Sequence, residues 1–130
     1  MDFKPNYPIY LQVADYICEK VLKGELRNGD RLPALKDLAV TTSVNPNTVI
    51  KALGFLVDHN ILSTQRGVGY FMTDNARAIT LDLKRKQFIE EVLPDVFNKN
   101  YWPPTGLLEL TLLYEELRPA SFGAPAGSAQ

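Results

Sequence analysis

The sequence is poor in the residues that carry most catalytic and metal chemistry. Among its 130 residues are one cysteine, Cys18, and one histidine, His59. A lone cysteine cannot close an internal disulfide, which excludes cross-linking as a source of stability and fits a reducing compartment. Cys18 falls inside a helical pattern and reads as a structural thiol rather than a nucleophile. His59 lies in a separate segment with no evident partner, so neither a nucleophile–base pair nor a metal-ligand cluster is legible. No cofactor and no metal is implied, and an enzyme is not expected. Gly67-Val68-Gly69 lacks the following helix that a dinucleotide fingerprint requires. No apolar run approaches the roughly 20 residues of a membrane span. The opening MDFKPNYPIY has no signal-peptide pattern. The expectation is a soluble, cytoplasmic protein with no membrane partner.

An excess of charge is missing too. The formal net charge is −1. Residues 1–73 hold eight Lys/Arg against seven Asp/Glu, and residues 74–130 hold six against eight. A polyanionic partner would have to be held by a few placed cations, not by a general positive field. What the chain does have is 45% hydrophobic residues, nine prolines and eight glycines. That is enough apolar material for a core, with ample punctuation between elements. The length suits one domain plus an extension, or two small domains.

In PIYLQVADYICEKVLKGEL, Ile9, Val13, Ile17 and Val21 recur at a spacing of four, which predicts a helix begun at Pro8 and stopped at Gly24. Leu22 falls on its far face. RNGDRLP is a turn built on Asn28-Gly29-Asp30. PALKDLAVTT predicts a short helix opened by Pro33, with Leu35, Leu38 and Ala39 on its apolar side. After the very short connection Ser43-Val44, Asn45 suits a helix N-cap and Pro46 the first helical position. Val49, Ala52, Leu53 and Leu56 then line one face, and Asn60 suits the left-handed stop. Two helices so closely joined are the helix-turn-helix signature. ILSTQRGVGYFMT reads as two short strands around Gly67-Val68-Gly69. Helix, helix, helix, hairpin is the order of a winged helix-turn-helix.

From Asp74 the pattern is helical again, with Asp74 or Asn75 as cap and Pro94 as an interruption or end. DVFNKNYWPPTG contains a double-proline break, and Trp102 beside it reads as packing. LLELTLLYEEL is a last helix, apolar on more than one face, so it must be covered on more than one face. A second copy of the chain is the expected cover, with Leu107, Leu110, Leu113 and Leu117 as dimerisation residues. The expected fold class is mainly α with a small β-hairpin wing. Residues 1–73 would form the winged domain, 74–118 a helical extension and 119–130 a flexible tail.

Placed on a wheel at about 100° per residue, Leu53, Leu56 and Ala52 fall within about 60° of Val49. Asn47, Lys51 and Asp58 fall near the opposite side, flanked by Thr48, Ile50 and Gly54. The bland reading of this face is a solvated helix start with ordinary surface charges. The sharper reading is a nucleic-acid interface. Asn pairs bidentately with adenine, Lys meets phosphate or guanine, and Ile touches a thymine methyl. Lys36 points away from the apolar side of its helix, and Arg66 stands beside the hairpin turn. Gly67 and Gly69 are turn glycines in either reading, and Asn45 is a cap in either. The rival function is a protein-interaction module, which the near-neutral charge favours.

The run GELRNGDRLPALKDLAVTTSVNPNTVIKAL, followed by TQRGVGYF, resembles the GntR superfamily of bacterial transcription regulators. The resemblance covers about residues 8–73. The opening PIYLQV and the short C-terminal extension look like the YtrA-type subfamily, whose extension serves dimerisation. The resemblance implies DNA contacts by Lys36, Asn47, Thr48, Lys51, Arg66, Gly67 and Gly69; Asn45 and Ile50, read from the residues themselves, complete the expected DNA-binding set. Lys36 stands where the family usually has an arginine. Pro46 and Ile50 stand where many members carry arginines. Ala34 replaces a common serine and costs a cap. Gly54, Phe55 and Val57 depart from usually polar positions, and Phe55 is expected against the C-terminal helices or a partner chain. The implied function is a homodimeric, sequence-specific repressor on an inverted-repeat double-stranded DNA operator. The extension is too short for an enclosed ligand pocket, so a small-molecule effector would have its place at the dimer interface or be absent.

Overall fold

The computed structural model describes residues 6–98 and 106–118. Six α-helices and one hairpin follow one another along these residues: α1 (Ile9–Leu22), α2 (Leu35–Thr42), α3 (Pro46–Asp58), β1 (Leu62–Gln65), β2 (Gly69–Met72), α4 (Ala76–Gln87), α5 (Leu93–Asn98) and α6 (Leu107–Leu117). A π-helical turn, Phe88–Val92, joins α4 to α5. The chain divides into two compact units, one up to Leu83 and one from Lys84 onward.

The first unit is a three-helix core closed by the hairpin. Val13, Ala14, Ile17, Cys18 and Val21 of α1 pack with Leu38 and Ala39 of α2 and with Val49, Ala52, Leu53 and Leu56 of α3. The spacing of three and four is what buries them along one stripe of each helix. Gly24, at φ +81°, stops α1, and Asn60, at φ +62°, stops α3, as the sequence predicts. Leu22 is half-buried on the second surface of α1. The helix that Pro33 was expected to open begins two positions later, after Ala34. No side chain caps it there, in keeping with the loss of a serine.

The hairpin pairs Leu62 with Met72 and Gln65 with Gly69 in antiparallel register. Leu62 and Met72 are buried, which anchors its base in the core. The segment RNGDRLP does more than turn. Met72 N–H donates to the Asp30 carbonyl at 2.7 Å and Leu32 N–H to the Tyr70 carbonyl at 2.9 Å. Arg31 thereby pairs with Phe71 as a third, very short edge to the wing. The first turns of α4 belong to this unit as well. Ala76 is in the core, and Ile79 and Leu83 pack against it. The packed unit therefore extends beyond Met72, where the hairpin ends.

In the second unit the helix does not stop at Pro94. A proline ring clashes with the carbonyl four residues back and brings no N–H. The chain meets this by widening the preceding turn, so that the Leu93 N–H bonds to the Phe88 carbonyl, five residues back. Helix α5 then continues through Pro94. On α6, Leu108 and Leu117 are each 74% exposed, and Leu112, Leu113 and Tyr114 are also exposed, while Leu110 is half-buried. The side chain of Leu107, the Trp102–Pro103–Pro104 break and the expected tail 119–130 lie outside the described residues.

Candidate nucleic-acid interface

The link between α2 and α3 is fixed by its own chemistry. The buried Thr42 hydroxyl donates to the Leu38 carbonyl at 2.7 Å, closing the last turn of α2. Ser43 then takes a left-handed backbone, φ +57°. Val44 N–H returns to the Ala39 carbonyl at 3.1 Å. The side-chain oxygen of Asn45 accepts the Asn47 N–H at 2.8 Å, and Pro46 fills the first turn of α3. The cap satisfies an amide that the helix cannot, and the proline removes one that would be unpaired. Asn45 therefore has a demonstrated task in setting where α3 begins.

With Val49, Ala52, Leu53 and Leu56 completely buried, the opposite face of α3 is left open. Asn47 and Lys51 are exposed, Ile50 is 45% exposed and Thr48 is half-buried. Lys36, on the first turn of α2, is exposed, and so are Arg66 and Gly67 on the wing. Among the described residues, Lys36, Lys51 and Arg66 enter no ion pair and no hydrogen bond. Their charges are uncompensated by carboxylates. Lys51 does have a neighbour: its Nζ lies 4.3 Å from the centre of the Tyr10 ring on α1. Such a contact holds an ammonium in place without neutralising it.

Phe55 is half-buried and packs against the core of the first unit. Its ring is edge-on to Tyr10 at 6.4 Å and 4.2 Å from the ring of His59. His59 Nδ1 is 2.9 Å from the Phe55 carbonyl. The i, i+4 spacing of residues 51 and 55 puts both on one stripe of α3, facing Tyr10 of α1. Phe55 is thus paired with aromatic neighbours of the same unit.

At the wing, Gly67 has φ +76° and Gly69 φ +145°, both unfavourable for residues with a Cβ. The turn is closed by Val68 N–H to the Gln65 carbonyl at 2.9 Å. Sequence reasoning missed Arg31 here. Its Nη2 donates to the carbonyl of Val68 at the tip of the turn. Nothing periodic in the sequence links positions so far apart; the only available signal was a cation in the RNGDRLP turn. Among the described residues no group of three or more His, Cys, Asp or Glu side chains could hold a metal ion. No helix among them is long and apolar enough to cross a membrane.

An exposed α3 face, a capped start and a glycine-turned wing within one packed unit are the parts of a winged DNA-binding domain. Comparison with known proteins agrees. The family described as bacterial regulatory proteins, gntR family, matches residues 9–72. The chain is 31% identical over 127 residues to the HTH-type transcriptional repressor YtrA of Bacillus subtilis, spanning 98% of this chain and 95% of YtrA. It is 36% identical over 91 residues to the HTH-type transcriptional regulator YhcF of the same organism, spanning 70% of this chain and 74% of YhcF. A solved GntR family transcriptional regulator from Listeria monocytogenes shares the fold, with a TM-score of 0.72 at 24% identity over 89% of this chain and 100% of that one. The chain belongs to the gntR family of bacterial regulatory proteins, transcriptional regulators that bind DNA through a winged helix-turn-helix.

Proposed function

We propose that this chain is a sequence-specific repressor that binds an inverted-repeat operator as a homodimer. The observation that carries the reading is the open face of α3, where Asn47, Ile50 and Lys51 are exposed beside cations without ion pairs. In this reading Asn47, Thr48 and Ile50 meet base edges in the major groove, while Lys36, Lys51 and Arg66 meet phosphates. Gly67 and Gly69 let the wing backbone approach the duplex. YtrA, which the chain matches over nearly its whole length, is itself named a repressor. The dimer is supported by the exposed Leu108, Leu112, Leu113 and Leu117 of α6, an apolar surface suited to a second copy. Two recognition helices about one turn of DNA apart imply a palindromic site.

The test is selection from a pool of random duplexes by the purified protein. An enriched inverted repeat is the expected result. Retention without enrichment, by a folded dimer, would favour a docking module instead. On the selected duplex, Lys51→Glu should abolish binding. If a dimer neutralises about six phosphates, log K should fall with log salt at a slope of about −5. Leu113→Glu should shift the sedimentation coefficient to that of a monomer, and an unshifted value would remove α6 from the interface.

A further inference from the structure

Arg31 stands in the segment that leads into α2, yet its side chain lies on the wing. Its Nη2 donates to the carbonyl oxygen of Val68 in the hairpin turn. Its Nε lies 3.3 Å from where a Cβ on Gly69 would stand, so the guanidinium runs directly over that glycine. The backbone beneath it is pinned on both sides, by Met72 N–H to the Asp30 carbonyl and Leu32 N–H to the Tyr70 carbonyl. The residue is nonetheless exposed. Its hydrogen-bond acceptor is a neutral carbonyl, and among the described residues it forms no ion pair. One hydrogen bond to a carbonyl leaves most of a guanidinium's N–H donors unused and its charge intact. Arg66 lies on the same turn, two positions before Val68. Two separate segments of the chain thus bring uncompensated arginines to one wing tip.

We propose that Arg31 both positions the wing turn and contacts a backbone phosphate of the duplex beside it. This rests on the DNA-binding reading of the wing given above. A planar fork already held at one end meets a phosphate with little further loss of side-chain freedom, and it does so bidentately. The strained, side-chain-free geometry of Gly69 fits the same picture, since any Cβ there would push the guanidinium aside.

The experiment titrates the full chain with the selected duplex across a range of salt, for wild type, Arg31→Gln, Arg31→Lys and Lys51→Glu. Thermal melting of each protein is followed in parallel. Arg31→Gln is expected to bind roughly tenfold more weakly near 0.1 M salt, with a slope shallower by about one per chain. Arg31→Lys should recover the slope but not the full affinity, because a point charge replaces the fork. Wild-type slope in a folded Arg31→Gln would overturn the phosphate contact and leave only a brace. If Arg31→Gln does not fold, a second neutral variant, Arg31→Met, decides: a shallower slope upholds the contact and a wild-type slope overturns it. Loss of binding in Lys51→Glu with a wild-type slope in the folded Arg31→Gln would defeat this inference alone. Unchanged binding in Lys51→Glu would defeat the DNA-interface reading itself.

Discussion

Arg77 of α4 donates from Nη1 to the main-chain carbonyl of Val21, 3.0 Å away, at the end of α1. The same nitrogen is 3.0 Å from the Leu22 carbonyl, and the Arg77 N–H donates to Asn28 Oδ1 at 3.2 Å. The last carbonyls of a helix have no partner within it, and a cation there also complements the negative end of the helix dipole. Arg77→Ala would leave the Leu22 carbonyl without this partner, while the Val21 carbonyl keeps the Gly24 N–H at 3.1 Å. It is expected to lower the unfolding free energy by about 1.5–3 kcal/mol, read from the midpoint of urea denaturation. Arg77→Lys should recover part of the loss. An unchanged midpoint in Arg77→Ala would show that water replaces the guanidinium at no cost.

Gly54 sits inside α3 with ordinary helical backbone angles, and a Cβ built on it meets nothing within 4 Å. Nothing among the described residues explains the glycine. Alanine at this position should stabilise the protein by about 1 kcal/mol, because it removes the backbone freedom that glycine loses on folding. Calorimetry would show this as a raised melting temperature. The wheel places Gly54 near Asn47 and Ile50 on the open side of α3. A Gly54→Ala protein that melts higher yet binds DNA less tightly would mark the point of nearest approach to the duplex.

Thr80, on α4, is fully buried, and its hydroxyl has no hydrogen-bond partner among the described residues. A buried hydroxyl without a partner costs desolvation free energy that a methyl of the same size does not. Thr80→Val should therefore raise stability, by about 1 kcal/mol in chemical denaturation. A decrease would reveal a partner for the hydroxyl, such as an ordered water.

Local chemistry made much of the first unit legible. The stripe from Val13 to Val21, the Asn45 cap, the left-handed Asn60 and the glycines of the wing are each decided by residues a few positions apart, and each was readable as such. What stayed hidden depends on contacts between distant positions. Arg31 reaches Val68 across the sheet edge, and Arg77 reaches the end of α1. Neither leaves a periodic trace. The contact of Phe55 with Tyr10 was hidden for the same reason. Tyr10 belongs to another helix, so no local pattern pairs the two rings. The sequence left Pro94 as either an interruption or an end of the helix, because the standard i−4 clash permits both. The wider turn at Phe88–Val92 evades that clash. At the interface, the polar set on α3 was visible from the wheel, but the hold of Tyr10 on Lys51 was not.

The short edge formed by Asp30, Arg31 and Leu32 also bears on how the protein behaves when concentrated. A free-standing hairpin has two unpaired edges, and each invites another strand. Here β2 is covered by that edge along Tyr70–Met72. The remaining edge belongs to β1, which is only four residues long. Beyond the buried Leu62 it presents Ser63, Thr64 and Gln65, all exposed. A row so short and polar is a poor template for strand addition, so the wing can project from the core without seeding aggregation.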